Sequence, residues 1–312
     1  MLIPFISQLA NTEQEQWLKR FQLAMPQERF VLPAQMSDEQ KRACQFAIVA
    51  NPEPALMHAF ENLVWVQSLW AGVEGLLNNL SDIPFDIARL IDPFLSETMA
   101  EAVLSWSLYL HRDMPRYTKQ QQQKVWQQHD YIPASKRCVG ILGLGELGTK
   151  SVQRLQQNGF NVCGWSRNEK HIDGVTTFNG EAGLHQMVTQ TDILVSLVPL
   201  TDDTTSLINE SLINLMPHGS SIINFSRGKV VNTQDLINAL ARKQLSHAVL
   251  DVFDQEPLHA ESPLWHHPNI TILPHISAPT NSETACSIVA ENILHYKNTG
   301  QLPKCVDKHL GY

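Results

Sequence analysis

The sequence predicts an α/β protein of two domains, the larger of them a doubly wound parallel sheet. Three observations support this. Short β-type runs alternate with helical stretches along most of the chain, a pattern typical of parallel sheets covered by helices. A glycine-rich turn joins the run that begins at Cys138 to a helical stretch that ends before Gly159. The 312 residues also exceed the length at which a single hydrophobic core usually keeps growing.

Composition and charge narrow the range of partners. The chain is 43% hydrophobic and 17% charged, as in globular proteins that are not disordered. Its formal net charge of −8, without any run of lysines and arginines, argues against binding to nucleic acid or to an anionic membrane surface. No apolar run approaches the ~20 residues of a membrane helix, and no basic leader is visible at the N-terminus. A small-molecule substrate and a cytoplasmic location are therefore expected.

The five cysteines are scattered along the chain, with no C-x-x-C pair and no spacing typical of a metal site. We expect them to be reduced thiols in the protein core. We expect no metal site.

Hydrophobic patterns place the elements in chain order. Strands are predicted at 2–6, 46–49 and 63–66, and an amphipathic helix at 13–24. A largely apolar helix at 99–111 leads into the larger domain, and a glutamine-rich stretch, 118–130, is expected to be exposed except at Trp126. The remaining predicted elements are strands at 138–142, 161–165, 175–178, 192–198, 221–225, 247–252 and 270–273 and a helix at 282–298.

The glycine-rich turn has the spacing Gly143-x-Gly145-x-x-Gly148 between a buried strand and a helix. In a dinucleotide-binding fold, the first glycine permits the tight turn, the second lets the main chain approach a pyrophosphate, and the third lets helix and strand pack closely. The helix N-terminus, at Glu146 and Leu147, supplies free N–H groups and the positive end of the helix dipole. The spacing alone occurs often by chance, and the second strand that follows the helix strengthens the prediction.

The second strand of this unit ends in Ser166-Arg167, where an acidic residue usually accepts hydrogen bonds from the adenosine ribose. Because that carboxylate is missing and Lys170 follows, the site favours a ribose that carries a 2′-phosphate. The sequence therefore predicts NADP(H) as the cofactor. A solvated basic loop without a ligand is the alternative.

Three polar residues are expected at one edge of the parallel sheet. Arg227, Glu256 and His275 each follow a predicted strand. An arginine holds a carboxylate in a bidentate fork, and a histidine beside an acid donates a proton. Each residue alone is more often structural or merely exposed, but together they match what the reduction of a ketone beside a nicotinamide requires.

With these residues in order, the chain resembles the D-isomer-specific 2-hydroxyacid dehydrogenase family over essentially its whole length. Besides the glycine turn and Ser166-Arg167, the matching motifs are Leu197-Val198-Pro199-Leu200-Thr201, Ser226-Arg227-Gly228, Leu250-Asp251-Val252-Phe253, Glu256-Pro257-Leu258 and Pro274-His275. Two positions depart from the common pattern of the family. The acidic residue that binds ribose is missing, which fits the NADP-using branch, and Glu74 stands where an aspartate is more usual.

The resemblance implies a role for each matching residue. Arg227, Glu256 and His275 would be the catalytic arginine, glutamate and histidine. The main-chain N–H groups of Ala71, Gly72 and Val73 would hold the substrate carboxylate together with Arg227, and Asp251 would bind the nicotinamide carboxamide. The implied cofactor-binding positions are Gly143, Gly145, Glu146, Leu147, Gly148, Ser166, Arg167, Lys170, Val198, Pro199, Phe225 and Asp251.

The resemblance also implies an architecture and a reaction. A Rossmann-type dinucleotide-binding domain at 99–280 would be joined to a smaller, flavodoxin-like α/β substrate domain made of 1–98 and 281–312. Two copies of the chain would form a homodimer. The expected reaction is the NADPH-dependent reduction of glyoxylate, hydroxypyruvate or a similar small 2-keto acid to the D-2-hydroxy acid.

Two other functional classes stay open at this point. Transcriptional corepressors that sense nucleotides resemble the same family, and fold alone does not exclude them, although the chain has no basic or extended interaction tail. A dehydrogenase of another substrate class, such as formate, would share the fold, although no feature points to it.

Overall fold

The computed structural model describes residues 1–79, 84–308 and 310–311. The strands are β1 (Leu2–Ser7), β2 (Arg29–Val31), β3 (Phe46–Ala50), β4 (Trp65–Ser68), β5 (Asp86–Ala88), β6 (Cys138–Leu142), β7 (Asn161–Ser166), β8 (Thr176–Asn179), β9 (Ile193–Ser196), β10 (Ser220–Asn224), β11 (Leu245–Leu250) and β12 (Ile270–Ile272). The helices are α1 (Asn11–Ala24), α2 (Asp38–Arg42), α3 (Pro54–Met57), α4 (Glu74–Asn79), α5 (Pro93–His111), α6 (Met114–Gln123), α7 (Glu146–Gln157), α8 (Gly180–Val188), α9 (Glu210–Leu215), α10 (Thr233–Ala241) and α11 (Ser282–Thr299).

The chain divides into two compact units. The smaller unit consists of Met1–Phe94 and Thr280–Tyr312, and the larger unit is Leu95–Pro279. The boundary between them falls inside α5. Across the described ranges, no helix is long and apolar enough to cross a membrane.

The smaller unit contains a five-stranded parallel sheet in the order β2-β1-β3-β4-β5. Successive side chains of a strand point to opposite faces. Ile48 of β3 packs into a core with residues of α1 and α11, and its neighbour Val49 packs into a separate core. Both faces are therefore covered, and the strand order is that of flavodoxin-like folds. The flavodoxin-like prediction is confirmed.

The larger unit contains a seven-stranded parallel sheet in the order β12-β11-β10-β9-β6-β7-β8. Cys138 and Leu142 of β6 face one hydrophobic core, and Val139 and Ile141 face another. Helices thus cover both faces, and the predicted Rossmann-type doubly wound sheet is confirmed. The chain order of the strands reverses at β6, so the carboxyl end of β6 borders the crevice where such sheets bind dinucleotides.

Helix α7, which follows the glycine turn, forms because its small and apolar residues share one face. Its buried residues are Gly148, Ser151, Val152 and Leu155, which have the i, i+3, i+4 and i+7 spacing of one helix face. Gly159 follows the helix with φ of +80°, as expected of a glycine that ends a helix.

Helix α5 begins earlier than predicted. It starts at Pro93, whereas the apolar pattern predicted a start at residue 99. The carboxylate of Asp92 accepts a hydrogen bond from Phe94 N (2.8 Å), and proline suits the first turn of a helix. The boundary is therefore determined by a cap and a proline, which an apolar pattern does not detect.

Strand β4 lies two residues later than predicted. It ends at Ser68 and includes Gln67, whose polar side chain is buried with hydrogen-bond partners. Gln67 Nε2 donates to Ala88 O (3.3 Å), and Gln67 Oε1 accepts from Asn292 Nδ2 (2.7 Å). A buried polar side chain is tolerated in a strand when it is hydrogen-bonded.

The glutamine-rich stretch contains the end of a helix and then irregular chain. Helix α6 ends at Gln123, and residues 125–133 contain neither helix nor strand. Trp126 is 97% exposed, so the prediction that it would be the buried exception in this stretch is wrong.

All five cysteines are free thiols. Four of them are buried and Cys305 is half-buried. The prediction of reduced thiols in the core is therefore confirmed for the four buried residues.

A buried histidine makes the larger unit sensitive to acid. His247 of β11 is 6% exposed, and its Nε2 lies 2.9 Å from the Thr271 hydroxyl. Burial, followed by the charges of Lys119 and His267, lowers the pKa of His247 from 6.5 to about 4. At pH values between these two pKa values, the unfolded chain binds more protons than the folded one. Stability from this residue is therefore lost as the pH falls from about 6.5 towards 4.

We expect His247 to lower the free energy of unfolding by about 2 kcal/mol between about pH 7.5 and about pH 5. Urea denaturation at the two pH values measures this difference. His247→Gln, which retains a polar group beside Thr271, should remove the loss, whereas His218→Gln at an exposed position should retain it. An unchanged loss in His247→Gln would contradict the assignment.

Candidate active site

The turn after β6 accepts only glycine at two positions. Gly143 has φ of +97°, in the left-handed region, and its N–H donates to Trp165 O (2.8 Å). A Cβ on Gly148 would lie 1.8 Å from Gly143 O, so α7 approaches the turn more closely than a side chain permits. A Cβ on Gly145 would meet nothing within 4 Å. The turn is therefore closed on the side of the helix and open at Gly145.

The N-terminus of α7 opens at this turn. Gly145 is the N-cap, and no side chain caps the helix. The first hydrogen bond within the helix runs from Thr149 N to Gly145 O (2.9 Å), which leaves the N–H groups of Glu146, Leu147 and Gly148 without a partner inside the helix. These N–H groups and the positive end of the helix dipole form a site suited to an anion such as a pyrophosphate.

The loop after β7 is tied to the glycine turn. Ser166, the last residue of β7, donates from its hydroxyl to Asn168 O (2.7 Å), and Lys170 Nζ donates to Leu144 O (2.5 Å). Leu144 is part of the glycine turn, so the Lys170 ammonium lies at the turn itself. Its charge adds to that of the helix N-terminus.

Arg167 reaches an acid on the other side of β6. Its Nη2 lies 3.2 Å from Oδ2 of Asp203, in the short 3₁₀ turn Asp202–Thr204 that follows β9. Strands β7 and β9 flank β6 in the sheet. The ion pair therefore extends across the carboxyl end of β6, where the glycine turn lies. The sequence predicted Arg167 as a site residue but not Asp203.

The chain that leaves β9 lies beside the glycine turn. A Cβ on Gly143 would be 3.0 Å from Val198 N. Val198 is 4% exposed, and Pro199 O accepts a hydrogen bond from the Thr204 hydroxyl (2.7 Å). The predicted cofactor-binding positions Val198 and Pro199 thus lie close to the turn.

A network of buried polar groups shapes the chain at the end of β10. Asn224 Oδ1 accepts hydrogen bonds from the N–H (3.2 Å) and the hydroxyl (2.7 Å) of Ser226, and Asn224 Nδ2 donates to Arg227 O (2.9 Å). The Ser226 hydroxyl also lies 2.9 Å from that of Ser196 at the end of β9. Phe225, between the two polar residues, is buried. The network fixes the main chain on both sides of Arg227.

Gly228 brings the arginine loop against the loop that carries Glu256. A Cβ on Gly228 would lie 2.0 Å from Phe253 C, so a larger residue does not fit. Arg227, immediately before it, is half-buried and donates from Nη1 to Ser226 O (2.6 Å). The arginine is thus held beside the acidic loop by a main-chain contact.

Asp251 connects the end of β11 to the histidine loop. It is 2% exposed, and its two carboxylate oxygens accept hydrogen bonds from Ile276 N (2.8 Å) and Ser277 N (3.0 Å). Its main-chain oxygen accepts from His275 N (3.0 Å). These bonds satisfy a buried charge and position the histidine loop. The contact of Asp251 with a nicotinamide carboxamide stays a prediction.

Glu256 and His275 contact each other directly. His275 Nδ1 lies 2.7 Å from Glu256 Oε2, and Glu256 Oε1 accepts from Phe253 N (2.9 Å). The His275 side chain is 53% exposed and that of Glu256 35%. His275 also has φ of +53°, a conformation that is uncommon for residues other than glycine and that occurs often at functional sites. The pair has the geometry of a proton donor oriented by an acid.

The smaller unit contains the predicted carboxylate turn, Ala71-Gly72-Val73, after β4. Trp70 N donates to the Ser68 hydroxyl (3.0 Å), and Val73 O accepts from Leu77 N (3.0 Å). The N–H groups of residues 71, 72 and 73 donate to no other residue that the structure describes. Open N–H groups at the end of a parallel strand suit an anion.

Comparison with known protein families shows which family the chain belongs to. The model of the D-isomer specific 2-hydroxyacid dehydrogenase NAD binding domain matches residues 104–277, a range that includes the glycine turn and the Glu256–His275 pair. The chain belongs to the D-isomer specific 2-hydroxyacid dehydrogenase family. The resemblance inferred from the sequence motifs is confirmed.

Known members of this dehydrogenase family are similar over nearly the full chain. Glyoxylate/hydroxypyruvate reductase A from Yersinia enterocolitica is 36% identical over 287 residues, which cover 90% of this chain and 91% of the relative. A D-isomer specific 2-hydroxyacid dehydrogenase from Xanthobacter autotrophicus, solved in complex with NADPH and MES, has a TM-score of 0.92 and 32% identity and covers 100% of this chain and 99% of its own.

A second solved member is the NADPH-dependent glyoxylate/hydroxypyruvate reductase from Sinorhizobium meliloti in complex with NADP and sulfate. It has a TM-score of 0.90 and 30% identity, and the match covers 100% of this chain and 99% of that chain. The likeness to D-2-hydroxyacid dehydrogenases thus extends beyond the residues that the family model matches.

Within this D-2-hydroxyacid dehydrogenase, the predicted site residues of the larger unit form two groups. One group surrounds the glycine turn. The other comprises Arg227, Glu256 and His275, together with Asp251, which is hydrogen-bonded to the histidine loop. Sequence reasoning missed Asn224 and Ser196, which shape the arginine loop. Each is a polar residue at the carboxyl end of a strand that is buried along its length, and this pattern is the signal that would have found them.

Proposed function

We propose that this D-2-hydroxyacid dehydrogenase is an NADPH-dependent oxidoreductase that reduces glyoxylate, hydroxypyruvate or a similar small 2-keto acid. The observation that carries the proposal is the 2.7 Å contact between His275 Nδ1 and Glu256 Oε2 in a unit that also contains a dinucleotide turn. Family membership supports an oxidoreductase, and relatives named glyoxylate/hydroxypyruvate reductase support the substrate class. The product is a 2-hydroxy acid, of D configuration where a stereocentre forms.

The residues of the larger unit fit NADP(H). The open side of Gly145 and the uncapped N-terminus of α7 provide space and N–H donors for a pyrophosphate. β7 ends at Ser166 and is followed by Arg167, in place of the acid that would repel a 2′-phosphate. Similar structures that contain NADPH or NADP support the same cofactor. We propose that Arg167 and Lys170 bind the 2′-phosphate and that Val198, Pro199 and Phe225 also contact the cofactor.

Arg227 would hold the carboxylate of the substrate, because its planar fork offers two parallel N–H donors. Asn224 and Ser226 fix the main chain around it, so the guanidinium is positioned from a rigid base. We propose that the N–H groups of Ala71, Gly72 and Val73 are substrate-binding donors of the smaller unit. When bound, NADPH supplies the hydride that the carbonyl carbon accepts.

His275 would donate a proton to the carbonyl oxygen as negative charge develops there. Because Nδ1 faces Glu256, the donated proton leaves from Nε2. The Glu256 carboxylate holds the ring in this orientation. Hydride to carbon and proton to oxygen together convert the C=O group into CH–OH, which completes the reduction.

The proposal is tested by following the absorbance of NADPH with purified protein and a panel of 2-keto acids that begins with glyoxylate and hydroxypyruvate. Oxidation of NADPH that depends on the keto acid is the expected result. Activity with none of the panel would contradict the proposal and would favour a protein that senses nucleotides.

The loop after β7 yields a prediction about cofactor preference. We expect the protein to prefer NADPH over NADH by roughly 10- to 1,000-fold in kcat/KM, because partly screened cations contact the 2′-phosphate. The variant Ser166→Asp/Arg167→Gln should prefer NADH, since the new carboxylate would bond the ribose hydroxyls and repel the phosphate. Steady-state kinetics with both cofactors measure the ratio.

The control for this prediction is Asn168→Asp, which adds a carboxylate, as Ser166→Asp does, at an exposed position of the same loop. It should retain the preference for NADPH. If the double variant also retains it, the loop is solvated surface and the 2′-phosphate is bound elsewhere.

We also propose the domain roles, the assembly and the location that the sequence predicted. Residues 99–280 would bind the dinucleotide, and 1–98 with 281–312 would bind the substrate. The exposed apolar side chains of Val125, Trp126 and Tyr131 support a homodimer, which sedimentation of the purified protein would detect. The free thiols support the cytoplasm, where cysteines stay reduced.

A further inference from the structure

The ion pair between Arg167 and Asp203 spans the crevice proposed for the adenosine part of the cofactor. Arg167 follows β7 and Asp203 lies in the turn after β9, on either side of β6. The 3.2 Å contact between Nη2 and Oδ2 therefore joins the two walls of the crevice above the glycine turn. In sheets of this kind, dinucleotides bind at this edge.

The turn that carries Asp203 is held firmly from within. The Thr204 hydroxyl donates to Pro199 O (2.7 Å) and accepts from Thr201 N (2.8 Å), and Thr205 N donates to Thr201 O (2.9 Å). These bonds fix the main chain on both sides of Asp203, whose side chain is 76% exposed.

We propose that Asp203 is a positioning residue that sets the cofactor preference by competing with the 2′-phosphate for the Arg167 guanidinium. This inference rests on the proposed function. The carboxylate and the phosphate are both anions that require the same donor fork. NADPH must therefore displace or share the contact with Asp203. NADH has no phosphate at this position, so it leaves the pair intact.

The size of the effect follows from the exposure of the pair. Ion pairs that are open to solvent contribute little, because water and salt screen them. Removing the charge of Asp203 should therefore tighten NADPH binding by about two- to fivefold. NADH binding should change by less than about twofold, because its ribose hydroxyls are neutral.

The experiment is a thermodynamic cycle on binding. The dissociation constants of NADPH and NADH are measured by fluorescence titration for the unmodified protein, Asp203→Asn, Arg167→Gln and the double variant, at low and high salt. We expect Asp203→Asn to tighten NADPH binding only when Arg167 is present, and the gain to shrink at high salt. Asp202→Asn removes the same charge from the neighbouring position of the turn. It should bind NADPH and NADH with the same relative affinity as the unmodified protein.

Three results would overturn the inference. Equal weakening of both cofactors by Asp203→Asn would mean that the pair clamps the adenosine. Tighter NADPH binding that persists in the Arg167→Gln background, or that Asp202→Asn reproduces, would mean general repulsion of the phosphate. Unchanged dissociation constants for both cofactors in Asp203→Asn would mean that the ion pair of Asp203 with Arg167 does not affect cofactor binding.

The two proposals fail in different ways. If Arg167→Gln itself leaves the preference for binding NADPH over NADH unchanged, the 2′-phosphate site of the proposed function is wrong. If Arg167→Gln lowers the preference for binding NADPH over NADH but Asp203→Asn does not raise it, only the role of Asp203 is wrong.

Discussion

His275→Asn is expected to lower kcat by about 10²- to 10⁴-fold while the dissociation constant of NADPH stays unchanged. The substitution removes the ring nitrogen that would donate the proton. Asparagine tolerates the left-handed backbone that His275 adopts, with φ of +53°, so the loop and its hydrogen bond to Asp251 O should persist. Single-turnover reduction of glyoxylate, together with a fluorescence titration of NADPH, separates the chemical step from binding.

His266→Asn is the matched control, because it makes the same exchange at an exposed position of the larger unit. It should leave both kcat and NADPH binding unchanged. If His275→Asn weakens NADPH binding in parallel with the loss of turnover, the histidine has a structural role and the proton comes from another group.

Arg227→Lys should reduce kcat/KM by about 10²- to 10³-fold, nearly as much as Arg227→Ala. Lysine retains the charge but presents a single ammonium, which does not reproduce two parallel hydrogen bonds to a carboxylate. Hydrogen bonds to charged groups contribute about 1.5–3 kcal/mol each, so the loss of one of them accounts for the lower part of this range. The hydrogen bonds that Asn224 makes with the Ser226 hydroxyl and with Arg227 O involve no side-chain atom of residue 227 and should survive the exchange.

The reverse exchange, Lys229→Arg, is made two residues away at an exposed position and should leave kcat/KM unchanged. Steady-state kinetics with glyoxylate and hydroxypyruvate test both variants. If Arg227→Lys retains the kinetics of the unmodified protein, the substrate carboxylate is held elsewhere, and the turn Ala71-Gly72-Val73 becomes the primary candidate.

Features that depend on a few consecutive residues could be predicted from the sequence. The glycine turn is one of them, because the left-handed φ of Gly143 and the close approach at Gly148 exclude side chains. The strands are another, since a run buried on both faces must be apolar along its length. The alternation of such runs with helices was sufficient to predict two parallel sheets.

The ends of helices and strands were less predictable where polar side chains are involved. The start of α5 depends on the Asp92 cap, and β4 includes a polar residue, Gln67, whose buried side chain is satisfied by bonds to Ala88 and Asn292. A pattern of apolar residues contains no information about such partners. The expectation about Trp126 failed for a similar reason, since its hydrophobicity does not show which side of the chain faces solvent.

The sequence by itself determined which residue types stand at the ends of the strands, and therefore the family and the candidate chemistry. Only the tertiary structure decided which of these residues meet. The contact of Glu256 with His275, the packing of Gly228 on Phe253 and the ion pair of Arg167 with Asp203 join residues on different loops. The physical reason is that parallel strands bring their carboxyl ends to one edge, whereas the conformation of each loop determines where its side chains point.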